Sequence, residues 1–164
     1  ALRATRRGAR VMVTVEVTNA RAGHHIPTDH PGRNILLLVS AVDAKGRELT
    51  HMGNQVVPEW GGVGHEPGDF AGKPGKGYAK VLEELWTGVA PSVAYWNPTV
   101  VREDTRLPAL ATDATHYEFR RGSGPGPVTV SARLVFRRAF RQLARQKKWT
   151  VNDITMEEAR AVVP

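Results

Sequence analysis

Residues 11 to 17 read VMVTVEV, with valine at every second position. Side chains of an extended strand alternate between its two faces. Val11, Val13, Val15 and Val17 therefore form one apolar face, opposite Met12, Thr14 and Glu16. The same period returns in VTVSARLVF (128–136), where Val128, Val130, Ala132, Leu134 and Phe136 share a face. It returns again in THYEFRR (115–121), with Tyr117 and Phe119 on one side. NILLLVSAV (34–42) is apolar almost throughout, the mark of a strand covered on both faces. NPTVVREDTRLP (97–108) reads as a short strand between prolines, and YAKVLEEL (78–85) suits a strand or a short helix. So many one-faced strands must bury their apolar sides against a second sheet. The expected fold class is all-β, a two-sheet β-sandwich. The valine face of 11–17 is expected against Val130, Ala132 and Leu134, or against the strand at 35–42.

The connections are long. DAKG (43–46) is a turn signal, so 47–57 is expected to return beside 34–42 as a hairpin. Residues 58 to 77 are dense in glycine and carry three prolines; they predict a long irregular excursion. GSGPGP (122–127) is a loop. Near the C-terminus the period changes. Phe136, Ala139, Phe140 and Leu143 fall at i, i+3, i+4 and i+7, a short amphipathic helix. Its other side carries Arg137, Arg141, Arg145 and Lys148. The tail NDITMEEARAVV (152–163) suits a helix capped by Asn152 or Asp153, or a last edge strand. No internal repeat and no boundary divides the 164 residues, so residues 1–164 are expected to form a single sandwich domain with long Gly/Pro-rich loops.

Composition narrows the chemistry. There is no cysteine, which excludes disulfides, thiolate metal sites, a cysteine nucleophile and covalent haem c attachment within this segment. No apolar run approaches the roughly 18 residues of a membrane helix. The N-terminus ALRATRRGAR has no apolar signal core, so a signal peptide is expected to be absent or already removed; the segment can equally be a piece of a longer chain. The net charge of +7 favours acidic partners, although the basic residues are spread along the chain and no nucleic-acid motif accompanies them. No G-x-S-x-G, P-loop or dinucleotide fingerprint occurs, and Ser40, Ser92, Ser123 and Ser131 stand in no nucleophile context. GDFAGKPGKGYAK (68–80) lacks the G-K-[ST] ending of a phosphate cradle. The carboxylates and arginine of EDTR (103–106) are expected to pair with neighbours across the strand. The chain is expected not to be an enzyme.

One segment concentrates metal-ligand chemistry. AGHHIPTDHPGR (22–33) holds His24, His25 and His30. Neutral imidazole binds zinc, copper or haem iron. His24 and His25 are adjacent, so on extended backbone they point to opposite sides. His51, His65 and His116 are isolated in sequence, and His51 beside Met52 is at most a minimal copper pair. No metal site is assigned from the spacing. Trp60, Phe70 and Tyr78 lie in or beside the Gly/Pro-rich excursion; they are candidates for interface anchors or for rings that plug the end of the sandwich.

Four segments in order carry a resemblance: VTVEVTNARAGHHIPTDHPGRNILLLVSAVDAKGREL, GDFAGKPGKGYAKVL, YWNPTVVREDTRLPAL and VTVSARLVFRRAF. Together they resemble the C-terminal non-haem β-sandwich domain of multihaem c-type cytochromes. In that family V-x-V-x-V-x-N leads to A-G-H-x-x-P-T-G, then to an arginine and an apolar strand. Asp29 stands at the family's glycine, so the turn after Thr28 is expected to differ in shape. The C-x-x-C-H haem segment of the family is missing. The resemblance thus implies a fragment of, or accessory to, a larger multihaem cytochrome. It implies an extracytoplasmic location, periplasmic or cell-surface, and a non-catalytic role in electron transfer. Haem c would be carried by the rest of the chain or by a partner, and the partner would be a haem-bearing cytochrome segment or subunit. His24, at the A-G-H position, would brace the loop, face a neighbouring haem or belong to an independent metal site. The other reading is a stand-alone extracytoplasmic binding module whose basic surface takes an acidic partner or envelope polymer.

Overall fold

The computed structural model describes residues 1–121, 124–150 and 152–164. Gly122 and Ser123, from the expected 122–127 loop, lie outside the described residues. Among the described residues, nine strands form two antiparallel sheets. The four-stranded sheet runs β1 (Leu2–Arg7), β2 (Arg10–Thr18), β7 (Thr112–Arg120) and β4 (Thr50–His51). The five-stranded sheet runs β6 (Thr99–Asp104), β5 (Gly75–Glu84), β3 (Asn34–Val42), β8 (Val128–Arg137) and β9 (Ile154–Val163). No helix is long and apolar enough to cross a membrane among the described residues.

The alternating faces become the core. Val11, Val13 and Val15 are buried with Ile35, Leu37, Val39 and Ala41 of β3 and with Val128, Val130 and Ala132 of β8. Tyr78, Tyr117 and Phe119 complete the same cluster. The valine face thus meets both expected partners, while Val17 is only half-buried at the rim.

A second, smaller core lies on the outer face of the five-stranded sheet. On β3, Leu36 points away from the valines and is still buried. Residues 52–74 cover it. Val57 is buried there, tied by Val57 N–H to Lys73 O at 2.9 Å and Gly72 N–H to Val57 O at 2.9 Å. A single 3-10 turn, Glu59–Gly61, sets Trp60 against Phe140 with ring centroids 5.5 Å apart, edge to face. Ala79 and Val81 of β5 sit beneath. Gly77 of β5 must lack a side chain, because a Cβ there would lie 2.2 Å from Trp60 Cη2.

Several expectations are corrected. Residues 47–57 do not return as a full hairpin beside β3. The DAKG turn forms, with Asp43 Oδ1 accepting from the Lys45 and Arg47 amides at 2.9 and 3.0 Å, and Leu49 N–H still bonds Ala41 O. The chain then crosses to the other sheet, where Thr50 and His51 pair with Arg120 and Phe119. The irregular excursion ends before Gly75, where β5 begins. Of the alternatives left open, strand holds in both places: residues 78–84 lie in β5, with Leu85 in the turn beyond it, and the tail is edge strand β9. The helix α1 (Arg141–Gln146) is shorter than expected. Phe136 belongs to β8, and buried Phe140 precedes the helix. Strand β1, in a segment with almost no apolar signal, pairs along β2 from Leu2–Val15 to Arg7–Arg10.

Candidate functional site

The histidine loop joins β2 to β3. Its anchor is Asn19, immediately after β2 and buried. Asn19 Nδ2 donates to His24 O at 2.8 Å, Pro108 O at 3.1 Å and Leu107 O at 3.3 Å, and its Oδ1 accepts from Ala22 N–H at 3.2 Å. Ile26 and Leu107 exchange both backbone hydrogen bonds at 2.9 Å. The loop is thus fixed at its base, with Pro27 buried. Asp29 has φ 75°, the left-handed conformation that glycine adopts readily. The turn after Thr28 keeps the shape a glycine would give it, and Arg33 Nη2 contacts Asp29 Oδ2 at 2.9 Å.

All three loop histidines are exposed. His24 Nδ1 contacts its neighbour's carbonyl, His25 O, at 3.0 Å. The ring does not reach across the loop; the bracing is done by the backbone of His24 and the amide of Asn19. His30 Nδ1 accepts from Gly32 N–H at 3.1 Å. No group of three His, Asp or Glu side chains converges as a metal site among the described residues. His24, His25 and His30 therefore share a loop without sharing a ligand sphere.

The other histidines are scattered. His51 turns inward between Tyr117 and Phe119, with centroids at 5.8 and 5.5 Å. Burial holds its pKa below the usual imidazole value, and its Nε2 has no hydrogen-bond partner among the described residues. Met52 is exposed, so the two do not pair around one site. His116 contacts Thr14 Oγ1 at 3.1 Å on an exposed sheet face, and His65 is exposed.

The three interface candidates are placed as packing residues. Tyr78 is buried and donates from its hydroxyl to Asp113 Oδ2 at 2.8 Å, beside Lys76 on the same carboxylate. Burial and that acceptor raise its pKa well above the usual phenol value. It presents nothing to a partner. Half-buried Trp60 packs on Phe140. Half-buried Phe70 lies under the Arg137 guanidinium, 4.9 Å from its centroid. The exposed aromatic rings are instead Trp86, Tyr95, Trp96 and Trp149.

The expected basic helix stripe is largely consumed inside the molecule. Arg137, 3% exposed, donates to Asp153 at 2.8 and 2.9 Å, to Gly61 O at 2.6 Å and to Gly68 O. Buried Asp69 accepts from Arg145 at 2.6 Å, from Glu66 N–H at 3.0 Å and from Arg141 at 3.2 Å. Burial alone would raise the Asp69 pKa; the arginines and the Glu66 amide more than offset it and hold the carboxyl below its usual range. This network clamps the excursion onto β8 and α1. In EDTR, Asp104 pairs with its own neighbour Arg106 at 2.6 Å rather than across the strand.

One open groove of about 780 Å3 borders the histidine loop. Asp29, His30 and Arg33 line one side; Tyr95, Arg138 and Trp149 line the rest. The loop seats against the 90–96 segment at Gly32, where a Cβ would lie 3.1 Å from both His30 Nδ1 and Val93 Cγ1. Tyr95 and Trp96 meet edge to face at 5.2 Å. The groove offers exposed aromatic surface, two guanidiniums and an imidazole together.

No protein-family model matches the chain. No curated protein matches it significantly. Among solved structures, it is similar over 98% of its length to part of a penta-haem cytochrome c552 from Thermochromatium tepidum, with a TM-score of 0.70 and 20% sequence identity. The chain spans 38% of that protein. The likeness establishes a shared sandwich fold.

Proposed function

We propose that this β-sandwich is a non-catalytic domain of a multihaem c-type cytochrome system, packing against and positioning a haem-bearing segment outside the cytoplasm. The observation that carries the reading is the match of nearly the whole chain to little more than a third of a penta-haem cytochrome. Haem c needs cysteine thioethers, and this chain has no cysteine. Any covalent haem of the system is therefore carried elsewhere, on another segment or a partner. The ordered, exposed histidine loop beside an aromatic groove supplies a surface suited to such a segment. The alternative, a binding module working through a basic face, is weakened by the internal use of Arg137, Arg141 and Arg145.

The test is the coding sequence around this segment. C-x-x-C-H repeats are expected in the same reading frame or in an adjacent gene. Their absence from both overturns the proposal. Where they are present, the tagged domain is expected to co-purify with the haem-staining polypeptide, and failure to do so counts against the packing role.

A further inference from the structure

We infer that the groove between the histidine loop, the 90–96 segment and the start of the α1 region is a docking site for the propionate-bearing edge of a haem. This rests on the proposed association with a haem-bearing segment and names the surface and the group that meet.

The argument begins with charge. Arg138 is exposed, lines the groove and has no carboxylate partner among the described residues. The other arginines of this stretch are different: Arg137, Arg141 and Arg145 are all paired. Arg33 is a second guanidinium in the groove, held at 2.9 Å by Asp29. Two arginines against one carboxylate leave the groove with a net positive charge when His30 is neutral. An incoming carboxylate meets Arg138 free and Arg33 already oriented. Arginine is suited to this because its planar fork binds a carboxylate through two hydrogen bonds.

The second argument is shape and surface. Tyr95 is 70% exposed and Trp149 is 50% exposed, and both line the same groove. Exposed rings beside a free arginine form a site for a flat, apolar group with acidic margins. A haem c edge has that chemistry: an extended aromatic plane that ends in two carboxylates. A peptide carboxylate would satisfy Arg138 and leave the rings uncovered. The contact is non-covalent and leaves the iron's axial ligands to the haem-bearing segment.

The probe is a haem undecapeptide, a c-type haem on a short C-x-x-C-H peptide, titrated into the 164-residue chain in excess imidazole. Imidazole caps the iron, so ligation by His24, His25 or His30 does not contribute. Saturable binding with tryptophan quenching is expected. Arg138→Glu should weaken binding at least fivefold. Arg7→Glu, the same charge change at the end of β1, beside the start of β2 and away from the histidine loop, should leave it within twofold. Esterifying both propionates should weaken binding to the unaltered chain, and should weaken it less or even strengthen it in Arg138→Glu, where the ester removes a carboxylate–carboxylate repulsion. Equal losses from Arg138→Glu and Arg7→Glu would reduce the effect to general charge and overturn the site. An ester that binds as well as the acid, or no saturable binding, would also overturn it. Either result with C-x-x-C-H repeats present beside this segment refutes the groove alone; absence of any haem segment refutes the association on which it rests.

Discussion

Gly77→Ala is the sharpest test of how the excursion is held. The new Cβ would lie 2.2 Å from Trp60 Cη2, 2.4 Å from Cζ2 and 3.1 Å from Pro58 Cδ. Carbon atoms rest at about 3.5–4.0 Å, so the ring must retreat by more than an ångström. Its edge-to-face contact with Phe140 and the 3-10 turn that carries it oppose the move. Overpacking of this kind costs roughly 1–3 kcal/mol. Removing glycine from a strand returns about 0.5–1 kcal/mol. The net loss is about 1–2 kcal/mol, a fall in Tm of about 2–8 °C for a chain of this size. In a Trp60→Ala background only the tight Pro58 Cδ contact at 3.1 Å remains, and the same substitution should be close to neutral, between about 0.5 kcal/mol destabilising and about 0.5 kcal/mol stabilising. Urea unfolding followed by far-UV circular dichroism on the four proteins gives the coupling. If Gly77→Ala costs the same in both backgrounds, Trp60 is not seated on β5.

Three further outcomes follow from the geometry. Val15→Asp places a carboxylate at a position 4% exposed in the main core and should cost more than about 4 kcal/mol; a folded dichroism spectrum with an unchanged midpoint would refute the sandwich core. Asn19→Ala strips the shared donor from three carbonyls and should cost about 2–3 kcal/mol, with faster amide exchange at Ile26; unchanged exchange would remove Asn19 as the brace. Asp69 has its folded pKa depressed, so its contribution is full above the ordinary carboxylate range and is lost as pH falls through the folded value. Stability should therefore decline on acidification below about pH 4, and Asp69→Asn should be less stable at neutral pH and flatten that decline; an unaltered pH profile would separate Asp69 from it.

The central strands were legible because burial writes itself into alternation. β2 and β8 place an apolar residue at every second position and β7 does so at Tyr117 and Phe119, and each lies inside a sheet. The edges were not legible in the same way. β1 offers only Leu2 and Ala4 to the core, between arginines and threonines, so its alternation carries little hydrophobic contrast. β9 faces the core with Ala159, Ala161 and Val163 opposite Ala132, Val130 and Val128. Its methionine, glutamates, alanines and arginine are good helix formers. Pairing along nine residues of β8 overrides that preference. β4 is two residues long, too short to show any period.

The site divides along the same line. The histidine loop was visible as a cluster in sequence, and its exposure agrees with a functional surface, but its brace, Asn19, was read only as part of a resemblance. The groove was not legible at all. Its members come from positions 29–31, 33, 95, 136, 138 and 149, and only the return of the chain past the end of β8 brings them together. Charge followed a similar logic. A run of arginines spaced on a short helix suggests a solvated stripe, yet the excursion supplies Glu66, Asp69 and backbone carbonyls to most of it. That pairing is what makes Arg138 distinctive: it sits one residue beyond the buried Arg137, exposed in the bend just past β8, and lines the groove beside Phe136. The same strand end that buries Arg137 for stability delivers Arg138 to the groove, so the clamp and the proposed docking site meet there.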